Sequence, residues 1–281
     1  MTHPDIPTRD YEAFCAFLED ACGIVLGDNK HYLVKSRLNR LMQEFSFQSL
    51  GVMIEQLKLE HNGKLRERTI DAMTTNETMW FRDVYPFETL KQVILPEFAK
   101  QRGCSVRIWS SACSSGQESY SISMTVNEYQ LTHPGSLSGD VHIVATDISP
   151  SMLRVARGGT YDGISLGRGL SEERRARFFL KHGEGWEVRP EIRRRVSFSE
   201  LNLLKSYALL GRFDIVFLRN VLIYFSSELK RDILTRTAQV MNPGGYLFLG
   251  GSESPTGYVD AFELVRCPQG VVYRLKAGWK A

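Results

Sequence analysis

No run in this sequence approaches the roughly 18 consecutive apolar residues that a membrane-spanning helix needs. The opening residues, MTHPDIPTRD, lack the basic and apolar regions of a secretory signal. These absences set the expectation of a cytoplasmic protein with no membrane insertion. Cysteine is scarce and irregular. The five residues Cys15, Cys22, Cys104, Cys113 and Cys267 show neither disulfide-framework nor metal-ligand spacing. Buried thiols in a reducing compartment, with no metal, are the plain reading. A net charge of +3 is too mild to imply a nucleic-acid partner. Internal repeats, low-complexity segments and long linkers are absent too.

What is there is ordinary in bulk: 281 residues, 43% apolar and 24% charged, a globular balance in one large or two moderate domains. Charge is uneven. Arg154 to Arg195 hold eleven Lys or Arg against six Asp or Glu, an excess able to steer an acidic partner.

Two regions differ in pattern. From Tyr11 to Met73 the apolar residues recur at helical spacing in four segments, YEAFCAFLEDACGIVL, HYLVKSRLNRLMQEF, SLGVMIEQLKL and KLRERTIDAMT. In the second, Val34, Leu38, Leu41, Met42 and Phe45 share one face, while Arg37 and Arg40 point elsewhere. This predicts an all-helical domain over 1–75. From about residue 85, helical and strand patterns alternate: helix FETLKQVILPEFAK, strand VRIWSSA, helix GQESYSISMTVNEYQL, strand VHIVATDIS, then a helix opened by Ser149 as cap and Pro150 in its first turn. Further strands lie in RRVSFSELNL, in the continuously apolar FDIVFLRNVLIYF and in GYLFLGGSE. A helix, SSELKRDILTRTAQVMN, is stopped by PGG. AFELVRC and GVVYRLK are close enough to pair antiparallel. Alternation predicts a doubly wound α/β sheet with an antiparallel edge over 76–281. A glycine-rich, basic stretch at about 158–195 breaks the alternation and reads as a small β insertion.

The small-residue loop Ser110–Gly116 follows the first strand, where doubly wound sheets bind ligands. A dinucleotide wants G-x-G-x-x-G; only Gly116 is present, and Glu118 would repel a pyrophosphate. Asp147 ends the second strand, where an acid can accept from both ribose hydroxyls. A nucleoside without a diphosphate fits, and S-adenosyl-L-methionine, with its cationic sulfonium, suits Glu118. Asn202 and Asn220 stand at the next two strand ends, as polar residues that need partners. Each of these residues also has a plainer reading as a cap or turn.

Together TTNETMWFRD, SSACSSGQESYSI, ATDIS, LNLL, FLRNVLIYF and NPGGYLFLGGSES resemble the CheR family of chemotaxis-receptor methyltransferases, over nearly the whole chain. The resemblance implies a Rossmann-like methyltransferase sheet and a protein-glutamate O-methyltransferase. Its cofactor would be S-adenosyl-L-methionine and its product S-adenosyl-L-homocysteine. Its partner would be the cytoplasmic helical bundle of chemoreceptors, in membrane receptor arrays. It further implies that Asn76, Thr78 and Arg82 face the cofactor and the reacting centre, that Glu118 and Asp147 bind the cofactor, and that Asn202 and Leu203 flank the adenine. Asn220 and Val221 would line the same pocket, with Tyr224 beside Arg82 near methyl transfer. The family loop often reads Gly-Glu-Glu-Pro; here it is Gly116, Gln117, Glu118, Ser119. The insertion is a few residues shorter than in members that grip a receptor's C-terminal pentapeptide, which implies independence of that peptide. Arg37 and Arg40 on the second helix, and Arg193, Arg194 and Arg195 on the insertion, are candidates for docking an acidic bundle. A methyltransferase for another substrate and a non-catalytic cofactor-binding module are the competing readings.

Overall fold

The computed structural model describes residues 6–59, 63–100, 103, 105–137 and 139–280. Helices α1 (Thr8–Cys22), α2 (His31–Glu44), α3 (Leu50–Leu59) and α4 (Lys64–Met73) enclose a core that includes Phe14, Leu18, Val34, Leu38, Met53 and Leu57. Leu41 joins that core, while Met42 and Phe45 lie at its half-buried margin. Helix α1 stops at Gly23, whose φ of 78° is left-handed and whose N–H caps the Glu19 carbonyl.

After an extended connector over 75–79, a helix runs in three pieces: α5 (Tyr85–Thr89), a π-turn (Leu90–Ile94) and α6 (Leu95–Ala99). A single amphipathic helix is the pattern's expectation. Pro96 explains the difference: its ring and missing N–H disrupt the bond back to Gln92, and a wider turn accommodates it. The strands are β1 (Val106–Ser111), β2 (Val141–Asp147), β3 (Thr160–Tyr161), β4 (Phe179–His182), β5 (Gly185–Val188), β6 (Val196–Glu200), β7 (Phe213–Leu218), β8 (Met241–Leu249), β9 (Phe262–Cys267) and β10 (Gly270–Leu275). Seven form one sheet in the order β6-β2-β1-β7-β8-β10-β9. The five from β6 to β8 run parallel, and β10 is antiparallel to both neighbours. The doubly wound sheet with an antiparallel edge is therefore as the alternation implies.

Helices α7 (Gln117–Thr132), α8 (Pro150–Gly158) and α12 (Ser227–Gln239) flank the sheet. The strand period of two divides β7 between its faces: Ile215 and Phe217 join the core under α7, while Val216 and Leu218 join the one under α12. Ser149 caps α8 by accepting from the Met152 N–H, with Pro150 in the first turn. One boundary differs from the pattern. Helix α12 ends at Gln239 without help from Pro-Gly-Gly, and β8 already begins at Met241. Pro243 falls where the β7–β8 register shifts, so its missing N–H costs no ladder bond.

The insertion holds α9 (Gly163–Gly167), α10 (Glu172–Phe178) and α11 (Pro190–Arg193) around a three-stranded antiparallel sheet, β3-β5-β4. It seats on Trp80, whose ring meets Tyr161 and Phe179 edge-on at 4.9 and 5.2 Å. Among the cysteines, Cys22 and Cys113 are buried and Cys15 and Cys267 half-buried; Cys104 lies outside the described residues. The expectation of buried thiols thus holds for the first two only.

Candidate active site

The carboxyl ends of β2, β1, β6 and β7 open into one cleft. Its walls are the loop after each strand, the connector from α4, and Cys22 and Ile24 from the end of α1. Asn76, Thr78, Arg82, Glu118, Asp147, Asn202, Leu203, Asn220, Val221 and Tyr224 all line it. Residues spread over much of the chain are brought together because parallel strands aim their ends the same way.

Asp147, the last residue of β2, is 6% exposed. Its two oxygens accept from the backbone N–H groups of Ser114 (2.7 Å) and Ser149 (2.9 Å). Burial pushes its carboxyl above the ordinary aspartate range, against those backbone donors. The small-residue loop is what makes this grip possible. Ala112, Ser114 and Gly116 adopt left-handed φ of 54°, 49° and 94°, and a Cβ on Gly116 would stand 3.0 Å from that of Ala156. The loop is a tight turn folded around the acid, and it leaves the cleft open above it.

At the other end, Glu118 sits in the first turn of α7. Its Oε1 accepts from Ser110 Oγ and its Oε2 from Arg219 Nη1, each at 2.9 Å. Burial pushes this carboxyl up too, opposed by Arg219, Ser110 and Arg82. Arg219 is a site residue that the sequence reading passes over. It is 4% exposed, follows an apolar strand, and also bonds Asp83 and the Arg82 carbonyl. Nothing local signals those partners.

Asn220 has a left-handed φ of 57°. The turn it opens is held by Glu253, another residue the sequence reading leaves without a role. One carboxylate accepts from the N–H groups of Asn220, Val221, Leu222 and Gly250 at 2.7–2.9 Å. That clamp fixes the short helix Leu222–Tyr224, and with it Tyr224, whose carbonyl accepts from the Val25 N–H at 2.9 Å. Asn202 lines the cleft but turns its amide to the backbone. It donates to the Ala21 carbonyl at 2.8 Å and accepts from the Leu204 N–H at 3.0 Å. Its side chain thus ties α1 to the site.

The basic candidates divide. Arg37 is drawn inward: it donates to the Met73 and Thr74 carbonyls at 2.6 and 3.2 Å and to Thr75 Oγ1 at 3.0 Å. It satisfies the end of α4 and anchors the connector, as orphan helix carbonyls require. Arg193 pairs with Glu187 and donates to the Arg157 carbonyl at 2.9 Å. Arg195 donates to Gln130 Oε1 at 2.6 Å. All three are half-buried and make structural ties within the chain. Arg40 and Arg194 are exposed.

The cleft's chemistry fits S-adenosyl-L-methionine. It combines an apolar slot (Ile24, Ile148, Leu201, Leu203, Val221), a buried acid gripped at a strand end, and a mixed-charge end made by Glu118, Arg219 and Arg82. Fold and site together define a Rossmann-like methyltransferase. Residues 76–271 match the CheR methyltransferase SAM-binding domain, and residues 9–74 match the CheR methyltransferase all-alpha domain. Chemotaxis protein methyltransferase 1 of Pseudomonas aeruginosa is 56% identical over 269 residues, covering 95% of this chain and 98% of that protein. Chemotaxis protein methyltransferase 1 of Vibrio cholerae is 52% identical over 277 residues, covering 98% and 100%. The chemotaxis protein methyltransferase of Salmonella typhimurium is 35% identical over 259 residues, covering 90% and 86%. The chain belongs to the CheR methyltransferase family, whose methyl donor is S-adenosyl-L-methionine.

Proposed function

We propose that this protein methylates glutamate side chains on the cytoplasmic helical bundle of chemoreceptors, giving glutamate methyl esters and S-adenosyl-L-homocysteine. The reading is carried by one observation: a buried strand-end acid, Asp147, and the mixed-charge group of Glu118, Arg219 and Arg82 line a single cleft. The names of the relatives at 52–56% identity, all chemotaxis methyltransferases, support it. Residues 76–281 act as the methyltransferase domain and residues 1–75, with the four helices α1–α4, as its companion.

When bound, the cofactor supplies a methyl group activated on a positively charged sulfur. Asp147 would hold the ribose hydroxyls, Leu203 and Val221 the faces of the adenine, and Glu118 the ammonium of the tail, with Arg82 beyond it toward the acceptor. Asn76 and Thr78, on the connector, border the same space. A glutamate acceptor has a reference pKa of about 4.3 and arrives ionised, so the residues need supply no strong base and no metal. Their task is alignment and the exclusion of water, which is worth roughly 7–11 kcal/mol in favourable cases. Arg82 can hold a carboxylate with paired hydrogen bonds, and the Tyr224 hydroxyl can donate to either carboxylate. A strong positive field at the reacting oxygen would blunt the nucleophile, because charge disappears as the ester forms. Basic docking residues therefore belong at a distance, where Arg40 and Arg194 stand exposed.

The β4–β5 hairpin closes through Gly183 and Glu184 alone, with His182 paired to Gly185. So short a turn supports independence of a receptor pentapeptide and action directly at the receptor array. No helix among the described residues is long and apolar enough to cross a membrane. Incubating the protein with methyl-labelled cofactor, receptor cytoplasmic fragments and DNA tests the reading. Base-labile label in receptor glutamates is the expected result. Label in DNA alone, or in no receptor, overturns it.

A further inference from the structure

Arg219 follows the last residue of β7, and its side chain is 1% exposed. Its guanidinium divides its donors between Glu118 and the segment that carries Arg82. Nη1 donates to Glu118 Oε2 at 2.9 Å. Nη2 donates to Asp83 Oδ2 at 2.7 Å and to the Arg82 carbonyl at 3.0 Å. Nε is buried with no partner.

The segment that receives Nη2 is strained. Phe81, Asp83 and Val84 hold left-handed φ of 49°, 66° and 54°, and Val84 is β-branched, the residue type least suited to that region. Such conformations persist only where their surroundings over-determine them. Ser121 Oγ accepts from the Phe81 N–H at 3.1 Å and fixes the start of the arch. Its middle, which carries Arg82, is tied by Arg219.

A buried cation between carboxylates is weak as a stability device, since apolar residues of similar volume commonly do as well. What a planar guanidinium adds is two fixed directions at once, which an ammonium does not. We propose that Arg219 is a positioning residue: it sets the separation between Glu118, on the cofactor side, and the Arg82 arch, on the acceptor side. The inference deepens the proposed function, on which its acceptor side rests.

Three variants test it: Asp83→Ala, Asp83→Asn and Arg219→Lys. Asp83 is 42% exposed, so Asp83→Ala removes the charged one of the two bonds by which Nη2 ties the arch, keeps the one to the Arg82 carbonyl, and leaves the Glu118 pair intact. Its S-adenosyl-L-homocysteine affinity by calorimetry is expected to stay within threefold of wild type. Its KM for the cofactor should hold while kcat falls at least tenfold. Asp83→Asn keeps an oxygen for Nη2 and tolerates the left-handed backbone, and should recover most of that kcat. Arg219→Lys keeps the charge without the fork, and should lose both affinity and kcat at least tenfold. An Asp83→Ala kcat within twofold of wild type overturns the proposal, as does wild-type behaviour of Arg219→Lys. If Arg219→Lys does not fold, the two surface variants decide. Wild-type protein that methylates no receptor would sink the glutamate reading alone. The S-adenosyl-L-homocysteine affinity of Arg219→Lys would still judge Arg219, with an unchanged value overturning the proposal.

Discussion

Burial raises the proton affinity of both acids in the cleft, Asp147 and Glu118. Between the ordinary carboxylate range and these raised values, the folded chain binds more protons than the unfolded one. Stability from the two groups is therefore regained on acidification and lost as pH rises through that window. Cofactor binding runs the other way, because a ribose and a charged tail need the ionised forms. S-adenosyl-L-homocysteine affinity is thus expected to weaken on acidification from above the usual carboxylate range, which calorimetry across pH would show. Asp147→Ala should cost at least about 100-fold in affinity, roughly 3 kcal/mol; unchanged affinity would remove Asp147 from the site. Asp147 was legible because an acid at a strand end is a local pattern. Arg219 was not, because its partners stand 101 and 136 residues away and the strand it follows is apolar. The inward bonds of Arg37 were hidden for the same reason. Helical periodicity places it on a polar face but says nothing of carbonyls 36 residues on.

Elements with local punctuation were readable from sequence. Ser149-Pro150 opens α8 as its capping chemistry requires, and the apolar run of β7 is buried on both faces. The π-turn at Leu90–Ile94 escaped, because Pro96 reads equally as a first-turn residue or as an interruption. Among these elements α1 carries the sharpest stop. A Cβ on Gly23 would lie 2.4 Å from Leu229 Cδ2 in α12. The leucine can swing aside, whereas the left-handed backbone cannot relax. Gly23→Ala is therefore expected to cost about 1–2 kcal/mol. Urea unfolding should show a lower midpoint at unchanged slope.

Across the whole molecule, one ion-pair hub joins three parts. Glu128 of α7 accepts from Lys91 in the π-turn at 2.9 Å and from Arg174 in the insertion at 2.7 and 3.1 Å. Burial raises the Glu128 carboxyl, but Arg174 and Lys91 outweigh it and leave it below the usual range. Its stabilisation is present above the unfolded value and lost as pH falls through the folded one. Glu128→Gln should cost about 1–3 kcal/mol, the buried-pair value reduced for the partly exposed bases. Hydrogen exchange should then quicken in the insertion; an unchanged rate there would show that the hub does not secure it.

Two hydrogen bonds described at the cleft, Asn202 to the Ala21 carbonyl and Val25 to Tyr224, make the end of α1 part of its wall. A guest filling the cleft would touch bundle and sheet alike and would work as a latch between them. By mass action, abundant methyl donor should merge the two halves into a single melting event, and its depletion should let them part.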